Sequence, residues 1–407
     1  MPLRARSKSL YTTPNLRASN QVLNRRHFGI LGAASLLSAP SVLRAGRAEH
    51  VIIIGAGAAG LTAGFHLKQA GVSVQILEAS RQWGGRLRRD TTLASRPIDL
   101  GAEWIHTDAD VLGRILGQNR APADVTTMEY APQDLQILQG GKRRRINPAR
   151  YDYSEVKFHD STWYGFFERH LLPQVAGDIK TQSIVRHISK TDAGITVHLS
   201  NGQRLSADKV IVTVPLPILQ RGMLSLSEDL ISPAMQAGLH DLSYGTGFKV
   251  FMRFSERFYP DVLGFGPGNF LEDETWEEKL YFDAMLGKQT KDNVLALFTA
   301  SQKPIARARL RPDMLLNDVL GELSDIFGPV VRRSFERGIV QNWTTEPFIL
   351  GSYSMDNNSE FDMKEIFAPV ENALFFAGEA LGGTKAQSTV HGAAFSGMAV
   401  AKAIVDD

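Results

Sequence analysis

The 407-residue chain contains no cysteine. That excludes disulfides, thiolate-ligated metals and a cofactor tethered through sulfur, and leaves the redox compartment open. Acidic residues are missing from the first 48 positions, which hold eight basic ones: Arg4, Arg6, Lys8, Arg17, Arg25, Arg26, Arg44 and Arg47. Long apolar runs are missing too. The stretch Gly29 to Leu43 is broken by small residues, serine and proline, and falls short of the roughly 20 apolar residues a bilayer span needs. No later segment approaches that length, so no stable membrane insertion is expected. Beyond position 48, 37 basic residues face 43 acidic ones, a net −6. Such a body is poorly suited to neutralising phosphates, and nucleic acid is not an expected partner. The one dense basic run, Lys142-Arg143-Arg144-Arg145, follows Gly140-Gly141 and reads as a solvated hairpin tip.

What is present begins with the N-terminal segment. Arg25-Arg26 stands directly before the modest apolar run, and Ala45 and Ala48 offer cleavage points. This resembles a bacterial twin-arginine export signal over residues 1–48. It implies an exported protein, located in the periplasm, whose partner is the machinery that moves folded proteins. A chain that folds around a cytoplasmic cofactor must cross the membrane folded.

The body, 43% hydrophobic over the whole chain, is long enough for two domains. Val51 to Ile54 reads as a strand buried on both faces. A glycine loop, a helix from about Ala59 to Gln69 and a strand from Val72 to Leu77 complete a βαβ unit. Gly55-Ala56-Gly57-Ala58-Ala59-Gly60 fits the G-x-G-x-x-G pattern in that context. Gly55 permits the tight turn, Gly57 lets backbone approach a pyrophosphate, and Gly60 lets the helix lie close to the strand. Glu78 ends the second strand, where a carboxylate accepts hydrogen bonds from a ribose. Gly84-Gly85-Arg86 then adds a second close approach beside a guanidinium, which suits a longer, bent dinucleotide and favours FAD over NAD. Further on, Ile195 to Leu199 alternates, Asn201-Gly202 marks a hairpin, and Val210 to Val214 is apolar. Strands are expected at Phe248 to Phe254, Leu295 to Phe298 and Ala373 to Ala377, and a last helix from about His391 to Val405.

Several ordered segments resemble the flavin-containing amine oxidase family, which includes monoamine, polyamine and L-amino-acid oxidases and the lysine-specific histone demethylases. They are the glycine loop, Gly101-Ala102-Glu103-Trp104-Ile105-His106, Val210 to Leu216, Gly247-Phe248-Lys249-Val250, Trp343 with Pro347 and Gly351-Ser352-Tyr353-Ser354, Gly378-Glu379, and Thr389-Val390-His391-Gly392. The resemblance implies an α/β fold: a Rossmann-like FAD-binding domain with a discontinuous α+β substrate domain built on a mixed sheet. The expected division is 49–106, 172–240 and 340–407 for FAD, and 107–171 and 241–339 for substrate.

Residue by residue, the resemblance assigns FAD binding to Gly55, Gly57, Ala59, Gly60, Glu78, Ala79, Gly84, Gly85, Arg86, Gly101, Ala102, Glu103, Trp104, Val185, Trp343, Gly378, Glu379, Thr389 and Val390. Lys249 is the polar residue beside the flavin N5, reached through a water. Trp343 and Tyr353 line the flavin face and the substrate cavity. FAD is expected to be non-covalent, the partners to be a small-molecule amine and O2, and no metal to be involved. The implied reaction is hydride transfer from an amine to flavin. The imine then hydrolyses to a carbonyl, and O2 is reduced to H2O2. Two departures stand out. Ala386 occupies the position where the family usually has a second aromatic wall, and the stretch after the G-A-x-W-I-H segment is short. Alternative readings are a flavin desaturase or dehydrogenase acting on a hydrophobic substrate, and a non-catalytic flavin-binding protein. Arg88 and Arg89 are candidates for holding a substrate carboxylate. The chain carries no signature of a particular oligomeric state.

Overall fold

The run Val51–Ile54 is completely or almost completely buried, and it becomes the centre of a five-stranded sheet. In the computed structural model, which describes residues 49–150, 155–191, 194–266, 277–355, 362–383 and 386–407, every pair in this sheet is parallel. The export signal expected over residues 1–48 lies outside the described residues. The strand order is Leu374–Phe376, Lys209–Val212, His50–Ile54, Ser73–Leu77, Ile179–Lys180. Alternate side chains of the central strand serve two cores. Val51 and Ile53 pack with the helices Ala58–Gln69 and Val390–Val405, whereas Ile52 and Ile54 pack with Ile188 and Val197. The latter two belong to a four-stranded sheet in which the Asn201-Gly202 turn joins antiparallel strands Gly194–Leu199 and Arg204–Ala207. Gly55 has φ +109°, a left-handed conformation that glycine adopts without strain. The turn it makes ends the first strand and starts the helix at the sheet's carboxyl edge, where ligands bind in open α/β sheets.

A second architecture stands beside the first. Seven strands form a mixed sheet in the order Phe335–Asn342, Thr246–Phe254, Asn293–Ser301, Glu277–Asp283, Val262–Phe265, Leu135–Gln139, Lys142–Ile146. All neighbours are antiparallel except Val262–Phe265 with Leu135–Gln139. Period-two alternation in Thr246–Phe254 sends Phe248, Val250, Met252 and Phe254 to one face, where the helix Pro312–Phe327 covers them with Leu315, Val319 and Leu323. Lys249 and Phe251 take the other face, as the alternation predicts. That face is also buried, because Phe298 and Phe282 of the neighbouring strands flank Lys249 on it and Trp104 packs over it. The α/β class and the mixed sheet expected from the sequence are thus both present.

Two sequence expectations change. The stretch 107–171 does not act as one piece. Val111, Leu112 and Ile115, and later Trp163, Phe166 and Phe167, pack into the core of the parallel sheet's helices, while residues 135–146 join the large sheet. The mixture of short amphipathic pieces there gave no local sign of which core each would enter. The basic run is not a hairpin tip either. Gly140-Gly141 makes the turn, and Lys142–Ile146 is the outermost strand of the large sheet, with its four basic side chains exposed. Charges there discourage edge-to-edge pairing with another chain. Among the described residues no helix is long and apolar enough to cross a membrane.

Candidate active site

A single cavity of about 1580 Å³ runs from the carboxyl edge of the parallel sheet to the buried face of the mixed sheet. Typical small-ligand pockets hold roughly 300–1,000 Å³, so this one has room for a dinucleotide and a substrate together. Its lining includes every FAD-binding and catalytic residue assigned from the sequence except Gly60. Gly60 instead packs the helix onto the loop: a Cβ there would lie 2.0 Å from the Gly55 carbonyl oxygen. That is the close helix–strand contact expected of the third glycine.

The dinucleotide end is built from backbone. The helix Ala58–Gln69 begins at Gly57 without a side-chain cap and has no acidic residue in its first turn. Its free N–H groups and positive end are therefore left for an anion. The second glycine pair faces this terminus, with Gly84 N–H donating to the Ala56 carbonyl at 2.8 Å. A Cβ on Gly57 would meet nothing closer than the Gly84 carbonyl oxygen at 3.9 Å, and one on Gly378 nothing within 4 Å. The groove is open to a pyrophosphate and ribityl chain, so the residues present fit a bound FAD. Ala59 and Ala79 line this end with the Val185 segment. Glu78 is buried, and its two oxygens accept the Ala56 and Ser80 N–H groups at 2.8 Å each. A carboxylate has about four acceptor positions, so capacity for ribose hydroxyls remains.

Next along the cavity, Arg86 donates to Glu379 at 3.0 Å and to the Ser352 carbonyl at 2.9 Å. Glu379 also accepts the Ser354 N–H at 3.1 Å and the Ser354 hydroxyl at 2.5 Å. These contacts join Gly378, the Gly351–Ser354 segment and the second glycine pair. Sequence reading named Arg86 and Glu379 but gave no hint that each is the other's partner. The last helix contributes Val390 at its N-terminus, and the Thr389 side chain caps it by accepting the Gly392 N–H at 3.0 Å. Thr389 also donates to the Ala386 carbonyl at 2.7 Å. Ala386 does not line the cavity, whereas Gln387 and Ser388 do.

At the far end, Trp343 is buried and donates its indole N–H to the Leu100 carbonyl at 3.2 Å, and Tyr353 stands on the cavity wall. Arg88 lies over the Trp343 ring at 5.4 Å and is bound by Glu346; Arg89 is bound by Glu168. Neither arginine lines the cavity, and both already have a carboxylate partner, so they are not free to capture one from a substrate.

Lys249 is buried, with 3% exposure, which excludes a surface role. Its ammonium donates to the Gly101 carbonyl at 2.8 Å and to Glu103 Oε2 at 3.2 Å. The Trp104 ring lies 5.2 Å from it. Glu103 Oε1 is 2.5 Å from the ammonium of Lys157, which is equally buried. Asp99 and Lys288 complete a buried charge group. Burial pushes Lys249 below the ordinary lysine value, with Glu103 and Asp99 opposing. Burial acts to raise the Glu103 carboxyl, but Lys157 and Lys249 together hold it below its ordinary range. Asp99 is pushed well up, chiefly by burial, and burial and Lys157 bring Lys288 down to about 8. Sequence reading missed Asp99, Lys157 and Lys288. Lys157 lies in a strand, Glu155–Phe158, whose charged alternation reads as a solvent face.

The chain matches the family described as flavin containing amine oxidoreductase over residues 58–168 and 164–405. It is 26% identical to polyamine oxidase 4 of Oryza sativa subsp. japonica, over 86% of this chain and 87% of that protein. It is 24% identical to lysine-specific histone demethylase 2 of Homo sapiens, over 88% of this chain and 53% of that one. Among solved structures, a putrescine oxidase variant superposes with a TM-score of 0.69 at 16% identity, covering 88% of this chain and 99% of that one. The family match spans most of the body and includes the glycine loop's helix, the Lys249 strand and the last helix. The chain therefore belongs to the flavin-containing amine oxidoreductases and is a flavin-dependent enzyme acting on amines.

Proposed function

We propose that this protein oxidises an aliphatic amine using non-covalently held FAD, with O2 as the final acceptor and H2O2 and a carbonyl compound as products. The observation that carries this reading is the buried Lys249 ammonium on the wall of the same cavity that holds the dinucleotide groove. Bound there, FAD would supply the hydride acceptor and the route by which the electron pair reaches O2. The protein supplies position and charge. Lys249 has three N–H donors and commits two to Gly101 and Glu103, so one remains for a water or ligand in the cavity. The same positive charge favours the anionic character that develops as O2 is reduced. Trp343 and Tyr353 provide apolar walls against which an uncharged amine can lie. An aliphatic substrate is supported by the polyamine and putrescine oxidases among the relatives. Non-covalent attachment is supported by the lack of cysteine.

The test is peroxide release over a panel of diamines, polyamines, monoamines and amino acids, followed by stopped-flow measurement of both half-reactions in Lys249→Met. That variant keeps the alkyl stem and removes the charge. Slowing of one or both half-reactions by roughly 10- to 1,000-fold is expected. Wild-type rates in both, or no amine-dependent peroxide from the wild type, would refute the reading. Residues 1–48 are proposed to direct export of the folded protein to the periplasm, supported by Arg25-Arg26 and the apolar run after it. Replacing both arginines with lysine is expected to leave yellow protein in the cytoplasm. Unchanged export would sink that part.

A further inference from the structure

Three separate segments meet at one carboxylate, and a fourth brings Lys288 near it. Glu103 lies in the wall segment Gly101–Trp104, which lines the cavity, and so does Lys249 from the large sheet. Lys157 comes from a different strand and does not line the cavity. Lys288 follows the turn at Gly287. Glu103 gives one oxygen to each of two lysines: Oε2 to Lys249 at 3.2 Å and Oε1 to Lys157 at 2.5 Å. Lys157 is 1% exposed and lies among the rings of Tyr130, Phe282 and Trp104, at 4.9, 5.5 and 5.6 Å. Confined by these rings, its ammonium holds the carboxylate by an ion pair from the side that does not line the cavity. The other oxygen faces Lys249.

We infer that Glu103 is a positioning residue for Lys249: anchored by Lys157, it keeps the ammonium charged and aims its third N–H into the cavity. This rests on the reading of Lys249 given above. The geometry favours it in two ways. Lys249 is tied at two points, Gly101 and Glu103, to the same short wall segment, which fixes the direction of the remaining donor. A buried ammonium without a counter-charge would lose its proton, and Glu103 is the only carboxylate within ion-pair distance of it among the described residues. The other charged groups facing this site are Asp99, Lys157 and Lys288. Asp99 accepts the Trp163 N–H at 3.1 Å, and Lys288 donates to the Pro97 carbonyl at 3.1 Å, so neither substitutes for Glu103. With two ammonium groups already within ion-pair distance, the single negative charge of Glu103 is more than matched and has none left over for a substrate cation.

The test compares Glu103→Gln, Lys249→Met and the double variant in the FAD-loaded protein. The readouts are the pH titration of the bound flavin's visible absorption band, which needs no turnover, and the pH profile of flavin reduction. Glu103→Gln retains an oxygen acceptor and removes the charge. In the wild type, Lys249 loses its proton only above a midpoint held up by Glu103. Glu103→Gln is expected to move that midpoint down by about one to three pH units, the usual effect of an opposite charge at this distance. Lys249→Met should abolish the transition, and adding Glu103→Gln to it should then change neither readout further. An unmoved midpoint in Glu103→Gln, with the transition lost in Lys249→Met, would overturn the inference and leave the amine oxidase reading intact. Wild-type behaviour of Lys249→Met itself would remove both. Should Glu103→Gln fail to fold, Glu103→Gln with Lys157→Met preserves the net charge of the group; because Lys157 itself lowers Lys249, the midpoint is expected to move down by less than in the single variant, and an unmoved midpoint would overturn the inference. Failure of both to fold would make Glu103 a purely structural residue and overturn the inference.

Discussion

Replacing Gly397 with alanine should loosen the junction that holds the two ends of the FAD groove together. Gly397 lies in the last helix where it crosses the first, and a Cβ there would come 2.2 Å from the Ala59 carbonyl oxygen and 3.2 Å from the Ala59 Cα. Ordinary van der Waals contact begins near 3.4 Å, so the helices must separate by about 1.2 Å, the difference between 3.4 and 2.2 Å. Both obstructing atoms are backbone, so no rotamer change relieves the clash. Overpacking of this kind costs about 1–3 kcal/mol, while alanine in place of glycine inside a helix returns at most about 1 kcal/mol. A backbone clash this close puts the cost in the upper part of that range, about 2–3 kcal/mol, so a net loss of roughly 1–2 kcal/mol follows. Because Gly57 and Val390 begin these same two helices, FAD affinity should fall as well. Gly321→Ala is the control. It lies within the helix Pro312–Phe327, and the nearest atom to its added Cβ is Arg332 Nη2 at 4.0 Å. There the propensity gain is unopposed, and stability should rise by about 0.5–1 kcal/mol. The assay is denaturant unfolding of both variants, with FAD affinity from fluorescence titration. Gly397→Ala as stable as the wild type, with unchanged FAD affinity, would refute the close crossing and the reasoning built on it.

Glu78→Ala should lower FAD occupancy and also stability. It removes the carboxylate proposed to accept ribose hydroxyls and strands the Ala56 and Ser80 N–H groups, at about 1–3 kcal/mol for each donor left buried; full occupancy by absorbance in a well-folded variant would take Glu78 off the ribose. His391 supplies a pH prediction. Burial, with smaller contributions from His106 and Arg114, lowers its value to about 4. A histidine held neutral in the fold contributes stability above its unfolded value near 6.5, and that contribution is lost as pH falls from there toward 4. Unfolding between pH 4 and 6.5 should therefore take up close to one proton more in the wild type than in His391→Gln; equal pH slopes for the two proteins would show that His391 is not held neutral.

The local chemistry of this protein is written in adjacent residues. Val51 to Ile54, Gly55 to Gly60 and Glu78 fall within a single βαβ unit, so the strand, the turn, the uncapped helix end and the buried carboxylate beside them follow from short spacings alone. The same holds for the alternation that places Lys249 and Phe251 on one face. Even so, alternation fixes only which side chains share a face, not what covers that face. The sequence leaves Lys249 as either a surface lysine or a buried one with a partner, because the rings that bury it come from residues 104, 282 and 298. Likewise Asp99 and Glu103 share one stretch while Lys157, Lys249 and Lys288 come from three others, and each alone looks like an ordinary charged residue. Only the packing of the G-A-x-W-I-H segment between two sheets removes them from water together. Once there, charges that would each be screened outside have to answer one another, and that sets which lysine faces the cavity and which one anchors the carboxylate behind it.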